Sequence, residues 1–181
     1  MIYRSARTLL VAGTKTAMIA AIMAAILAGC SPKYDWRDYR SKDAPYSILF
    51  PGKPASQTRS ITLDTLQLDM TMTAVEIDGV VFAVGSARLP DNAGAMAALQ
   101  AMQTALLKNI GATLRSSKDS STGLQPMLEF EADGSQQGRP ARLIGKLVAR
   151  DQRIYQIIIL GQAQDLAAEQ IDTYLSSFKL N

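Results

Sequence analysis

Histidine is absent from the 181 residues, and cysteine occurs once, at Cys30. Those two gaps close off Ser-His-Asp triads, Cys-His dyads, and the imidazole and thiolate ligands on which zinc and copper sites rely. What is left for catalysis is carboxylates, tyrosine, or serine working with lysine. Acidic residues are missing from the first stretch as well: none precedes Asp35, whereas Arg4, Arg7 and Lys15 are basic. Long apolar runs are lacking too, because the uninterrupted one from Ala17 to Leu27 falls short of the about 20 residues that a membrane helix needs. The net charge of +3 resides in those three early basic residues, and the rest of the chain is balanced. No basic surface for nucleic acid is therefore expected. "AGTKT", Ala12 to Thr16, lacks the first glycine of a phosphate loop and has no role in this reading.

A basic start, a short apolar run and small residues at Ala28 and Gly29 make an export signal, expected to be removed as residues 1–29. Leu27-Ala28-Gly29-Cys30 resembles the lipobox of bacterial lipoproteins. The resemblance implies that Leu27, Ala28 and Gly29 are read by the signal peptidase. It also implies that the Cys30 thiol takes a diacylglyceryl group and the new amino terminus a palmitate-type acyl chain. The chemistry needs a thiol, because sulfur is the nucleophile that forms the thioether, and two or three acyl chains make attachment stable. Ser31, in place of an aspartate, implies sorting to the periplasmic leaflet of the outer membrane. The expected address is thus the bacterial cell envelope.

Residues 30–44 are expected to form a lipidated tether and residues 45–181 one globular domain. Tyr34, Trp36 and Tyr39 fall within that tether. Burying large rings is worthwhile, so docking of "DWRDY" on the domain is favoured over an aromatic belt at the membrane interface.

From Pro45 onward the pattern is one of strands. "YSILF" ends at "PGKP", which cannot continue a ladder. "LQLDMTMTA" alternates strictly, with Leu66, Leu68, Met70, Met72 and Ala74 on one face. Ile61 and Leu63 have the opposite parity, so a turn or bulge is expected near Asp64 and Thr65. Asp78-Gly79 reads as a hairpin turn into "VVFAVGSARL", apolar on both faces and hence central. Asp91-Asn92 can cap a helix in which Met96, Leu99, Met102, Leu106 and Ile110 recur at helical spacing until Gly111. "PMLEFEAD", "ARLIGKLVAR" and "RIYQIIILG" are three more strands, and "DLAAEQIDTYLSSFKL" predicts a helix burying Ala167, Ile171, Tyr174 and Phe178.

"APYSILFPGKP", the single mid-chain helix, "RIYQIIILG" and "YLSSFKL" together resemble the PsbP-like fold, and the pairing with a lipobox is similar to DcrB-like periplasmic lipoproteins. The resemblance implies an α+β domain: an antiparallel sheet of about six or seven strands flanked by two main helices in an α/β/α sandwich. It carries no shared catalytic set and no cofactor. Proteins of this domain type serve as accessory or binding proteins, among them photosystem subunits and a Ran-binding protein.

Two constellations remain. Glu129, Glu131 and Asp133 project from one strand face, as a hard-cation site would need. A hairpin centred near Gln137 and Gly138 would instead set Asp133 against Arg142 and Glu129 against Lys146, neutralising them, and no metal is expected. Lys118 in "SSKDSS" is the best partner for a serine nucleophile, yet residues 116–123 read as a polar flexible loop. The function expected is that of a non-enzymatic envelope lipoprotein, bound to the membrane through Cys30 and to an envelope protein partner. A Ser/Lys hydrolase or a small-ligand carrier with a deep apolar pocket is the alternative.

Overall fold

Two-residue turns build most of the sheet. Asp78-Gly79, Gln137-Gly138 and Asp151-Gln152 each hold both residues at positive φ, between 49° and 79°, the handedness that matches the twist of flanking strands. Asp64, at φ 54°, opens a fourth tight turn, across which Leu63 faces Leu66. This is the turn that the opposed parities demand. The computed structural model describes residues 33–90, 94–122 and 125–181.

Two antiparallel meanders result. The first comprises β3 (Ala55–Leu63), β4 (Leu66–Ile77) and β5 (Val80–Arg88); the second comprises β6 (Thr113–Asp119), β7 (Met127–Gln136), β8 (Arg139–Arg150) and β9 (Arg153–Gly161). They join along β5 and β9, from Val81 facing Leu160 to Arg88 facing Arg153, to give a seven-stranded sheet in the order β3-β4-β5-β9-β8-β7-β6. A second, three-stranded sheet has the order β1-β2-β10, from β1 (Arg37–Arg40), β2 (Tyr46–Phe50) and β10 (Lys179–Leu180). Its register pairs Tyr39 with Ile48 and Leu180 with Tyr46.

Each face of the large sheet is covered. Helix α1 (Ala95–Asn109) lays Ala98, Leu99 and Met102 on one face, over Leu143, Leu147, Ile154 and Phe130. The methionine spacing is therefore core spacing. Gly111, at φ 56°, ends the helix: its N–H donates to the Lys108 carbonyl at 3.2 Å, and that of Ala112 to the Leu107 carbonyl at 2.8 Å, the paired bonds of a Schellman motif. The expected cap at Asp91-Asn92 lies outside the described residues.

The opposite face carries the small sheet and α2 (Ala168–Ser176), packed on Val80, Phe82, Val148, Tyr155 and Ile157. Here the expected helix is shorter at both ends. Ala167 occupies its N-cap position and is exposed. At the other end the Ser177 hydroxyl donates to the Tyr174 carbonyl at 2.7 Å and accepts the Leu49 N–H of β2 at 3.0 Å. That side chain competes with a further helical turn, and the chain leaves as β10. The fold is α+β, with a seven-stranded antiparallel sheet between one helix and a layer of helix plus small sheet.

The compact unit runs from Tyr34 to Asn181, so residues from Tyr34 to Ala44, expected in the tether, belong to the fold. The reason is aromatic packing. Trp36 and Tyr34 stack with ring centroids 5.9 Å apart, and both meet Phe82 edge-on at 6.3 Å. Tyr39 sits edge-on to Phe50 at 5.5 Å. Both cores and every described strand pair lie inside this unit, so it has what it needs to fold alone.

Candidate functional site

Asp133 on β7 stands between two arginines. Arg142 of β8, its register partner, donates from Nε to Oδ1 at 3.0 Å, and Arg115 of β6 donates from Nη1 to Oδ2 at 2.7 Å. Arg115 reaches it because the register of β6 on β7 slips between Leu114 and Ser116, and such a bulge re-aims the extra side chain. Hydrogen bonds from Arg115 and then Arg142 hold the Asp133 carboxyl below the usual carboxylate range. Two rows on, Glu129 pairs in register with Lys146 on one side and Lys118 on the other. Its Oε2 accepts the Ser120 hydroxyl at 2.9 Å. The expected hairpin register is the one observed: Asp133 and Glu129 each lie between basic residues, whereas Glu131 between them pairs with Ile144 and Ser116. Among the described residues no group of three or more carboxylates is arranged to hold a metal ion.

Lys118 does not lie in a loop. Ser116, Ser117 and Lys118 are part of edge strand β6, every residue of which is exposed. An edge strand wet on both faces has no reason to alternate in polarity, which is why its sequence reads as a connection. Lys118 is thus a solvated cation opposite Glu129, without the desolvation that an amine base needs. Leu27, Ala28, Gly29 and Cys30 lie outside the described residues. No helix among the described residues is long and apolar enough to cross a membrane.

Under α2 the rings form two triplets, Tyr46 with Tyr155 and Phe178 and Tyr174 with Phe50 and Phe82, with centroids 5.2 to 6.0 Å apart, and Tyr39 bridges them, 6.2 Å from Tyr46 and 5.5 Å from Phe50. Burial raises the Tyr46 and Tyr155 phenols and pushes that of Tyr174 far up. The Tyr174 hydroxyl has no hydrogen-bond partner among the described residues. These groups hold the layers together and touch no opening.

A cleft of about 370 Å³ opens between α1 and the other face of the sheet, within the size range of small-molecule sites. Met70, Met72 and Met102 line it with Leu63, Leu106 and Ile158. The strand between is low in bulk over its C-terminal half: past Val81, β5 turns Ala83, Gly85 and Ala87 to this side. Gly85 sits in one cross-strand row between Met72 and Gln156. A Cβ there would stand 2.6 Å from Gln156 Cγ and 2.7 Å from Met72 Sδ. The glycine lets the glutamine lie across β5 and donate from Nε2 to the Met72 sulfur at 3.1 Å. Gln156 is only 5% exposed. Sequence reasoning passed over it, although one amide inside "RIYQIIILG" and small residues at the alternate positions 83, 85 and 87 of "VVFAVGSAR" were signals that could have found it.

In fold the chain is similar to the cyanobacterial PsbP protein CyanoP of Synechocystis sp. PCC 6803, known from its solution structure. The TM-score is 0.57 at 12% identity, over 84% of this chain and 96% of that one. A protein of unknown function from Pseudomonas aeruginosa matches more loosely, with TM-score 0.42 and 13% identity over 75% and 89% of the two chains. No family model and no curated protein matches the sequence. The first of these likenesses shows a PsbP-like fold.

Proposed function

We propose that the chain is a non-catalytic binding module of the bacterial cell envelope, held by lipid on Cys30 at the periplasmic leaflet of the outer membrane, where it acts as an accessory to an envelope protein. The observation that carries this reading is the placing of the sole cysteine. It closes a short apolar run behind two small residues, and the compact unit begins at Tyr34. Residues 31–33 then form the whole link between lipid and fold, a reach of about 10 Å at about 3.3 Å per residue. The domain stands against the membrane surface instead of reaching away from it. The absence of histidine and the exposure of Lys118 on an edge strand support a non-catalytic role, as does the accessory character that the PsbP-like resemblance implies.

Metabolic labelling with a fatty acid, followed by membrane fractionation, tests the anchor. The wild-type chain takes up label and sediments with the outer membrane, and Cys30→Ser accumulates as unlabelled precursor. Label on the serine variant rules Cys30 out as the acceptor. A panel of ester and amide substrates tests the other half of the reading, which turnover abolished by Lys118→Ala would overturn.

A further inference from the structure

We infer that the cleft under α1 binds a neutral, mostly hydrocarbon molecule carrying one hydroxyl or carboxamide group, with Gln156 reading that group. The inference rests on the reading of the domain as a binding module and is independent of its anchor. Three observations carry it.

The first is the lining. None of the residues around the cleft is charged, and the polar ones are Gln156 and Asn109 alone. A carboxylate, phosphate or ammonium would enter without a counter-ion, so the ligand is uncharged. Three methionines supply flexible, polarisable walls that adapt to a hydrocarbon shape.

The second is the state of Gln156. Its side chain is buried, yet among the described residues its one hydrogen bond is the donation from Nε2 to a thioether sulfur, a weak acceptor. Its Oε1 accepts none from the described residues. Gln156 lines the cleft and its Oε1 is not among the buried oxygens without a partner, so that acceptor is open to whatever enters. A ligand hydroxyl supplies what is missing, because it can donate to Oε1 and accept from Nε2 together.

The third is that the place of Gln156 is built. Gly85 leaves no Cβ between Met72 and Gln156, two residues that line the cleft. A side chain at 85 would push both out of their positions, in a core that is otherwise filled.

The test uses the unit Tyr34–Asn181, which holds both cores, with carbon-13 in its methionine methyl groups. Five methionines lie within that unit: Met70, Met72, Met96, Met102 and Met127. Titration with n-octanol shifts the Met70, Met72 and Met102 signals saturably and leaves Met96 and Met127 in place. The isomeric heptyl methyl ether, which accepts but cannot donate, binds about tenfold more weakly, the worth of about one hydrogen bond to a buried amide. Octanoate does not bind. In Gln156→Leu, alcohol and ether bind alike. If that variant fails to fold, Gln156→Met, closer in shape, takes its place.

No saturable shift, an equal shift of all five methyls, or an alcohol preference that survives loss of the amide overturns the inference. The last of these results would mean that the cleft is apolar space whose glutamine is satisfied by water. Labelling of Cys30 reads the anchor alone, so failure here leaves that part of the functional reading standing.

Discussion

The ring of Phe130 lies across Gly145, its register partner on the next strand: a Cβ added at 145 would stand 2.3 Å from Cε1 and 2.4 Å from Cζ. Phe130 is 3% exposed and has nowhere to go. Gly145→Ala is expected to cost about 1 to 3 kcal/mol, the usual range for overpacking a filled core. Adding Phe130→Leu should return part of that loss. Denaturant midpoints for both single variants and the double variant give the coupling. Simple additivity would mean that the ring moves aside freely.

Tyr174→Phe should stabilise the protein. Its hydroxyl is fully buried without a partner among the described residues, and removing such a group is worth about 1 kcal/mol. Burial also pushes this phenol well above the ordinary 10.0. In the unfolded chain the tyrosine loses its proton near its ordinary value, while the folded chain keeps it. The stability it contributes is therefore complete below the unfolded pKa and is lost as pH rises through the folded one. The phenylalanine variant should unfold at higher pH than the wild type. A variant less stable by 1 kcal/mol or more at neutral pH would show that the hydroxyl is satisfied.

Asp133 works in the opposite direction. Its carboxyl is held below the ordinary 3.8 by Arg115 and Arg142. Its contribution is present above the unfolded pKa and lost as pH falls through the folded one. Asp133→Asn should flatten the acid limb of stability below about pH 4 and leave the alkaline limb alone. In double-variant cycles the coupling of Asp133 with Arg142 should exceed that of Glu129 with Lys146. Only the first pair makes an ion pair in the structure, at 3.0 Å, while the Glu129 carboxylate takes the Ser120 hydroxyl. Added salt should shrink the coupling. Equal couplings would mean that register alone decides the pairing.

A chain cut to begin at residue 45 should lose about 2 kcal/mol or more, because Trp36, Tyr34 and Tyr39 then no longer cover Phe82 and Phe50. Trp36 is the sole tryptophan, so its fluorescence reports docking in the longer chain. A red-shifted, fully quenchable emission would contradict the packing described.

What could be read from the sequence was local. Asp78-Gly79 and the Gln137-Gly138 connection announce their turns, and counting outward from the second gives the facing of Glu129 by Lys146. The helix under Met96, Leu99 and Met102 follows from spacing, and Gly111 from its position at the end. What escaped was set by distant neighbours. The polarity of β6 carries no period because neither of its faces is covered. The pairing of β10 with β2 depends on residues brought together from far along the chain, and no window of sequence holds both. Arg115 reaches Asp133 through a bulge that propensity does not signal. The amide in the cleft stands in a strand that is apolar from Ile157 to Leu160, and its surroundings exist only once β5 lies beside β9.

That last junction sets an order of events. In the large sheet every strand pairs with its neighbour in the chain except along β5 and β9. The small sheet ties still more distant partners, with Ser47 bonded to Asn181 across 134 positions. Closing long loops is what slows folding. The two meanders are therefore expected to form early and to zip together afterwards, with the β2–β10 clasp closing later still. Gly85 belongs to one meander and Gln156 to the other. The cleft comes into being only at the zipping step, and a molecule seated there bridges two independently formed halves. Such a molecule acts as a latch on the seam, slowing the opening of the sheet in proportion to how tightly it is held.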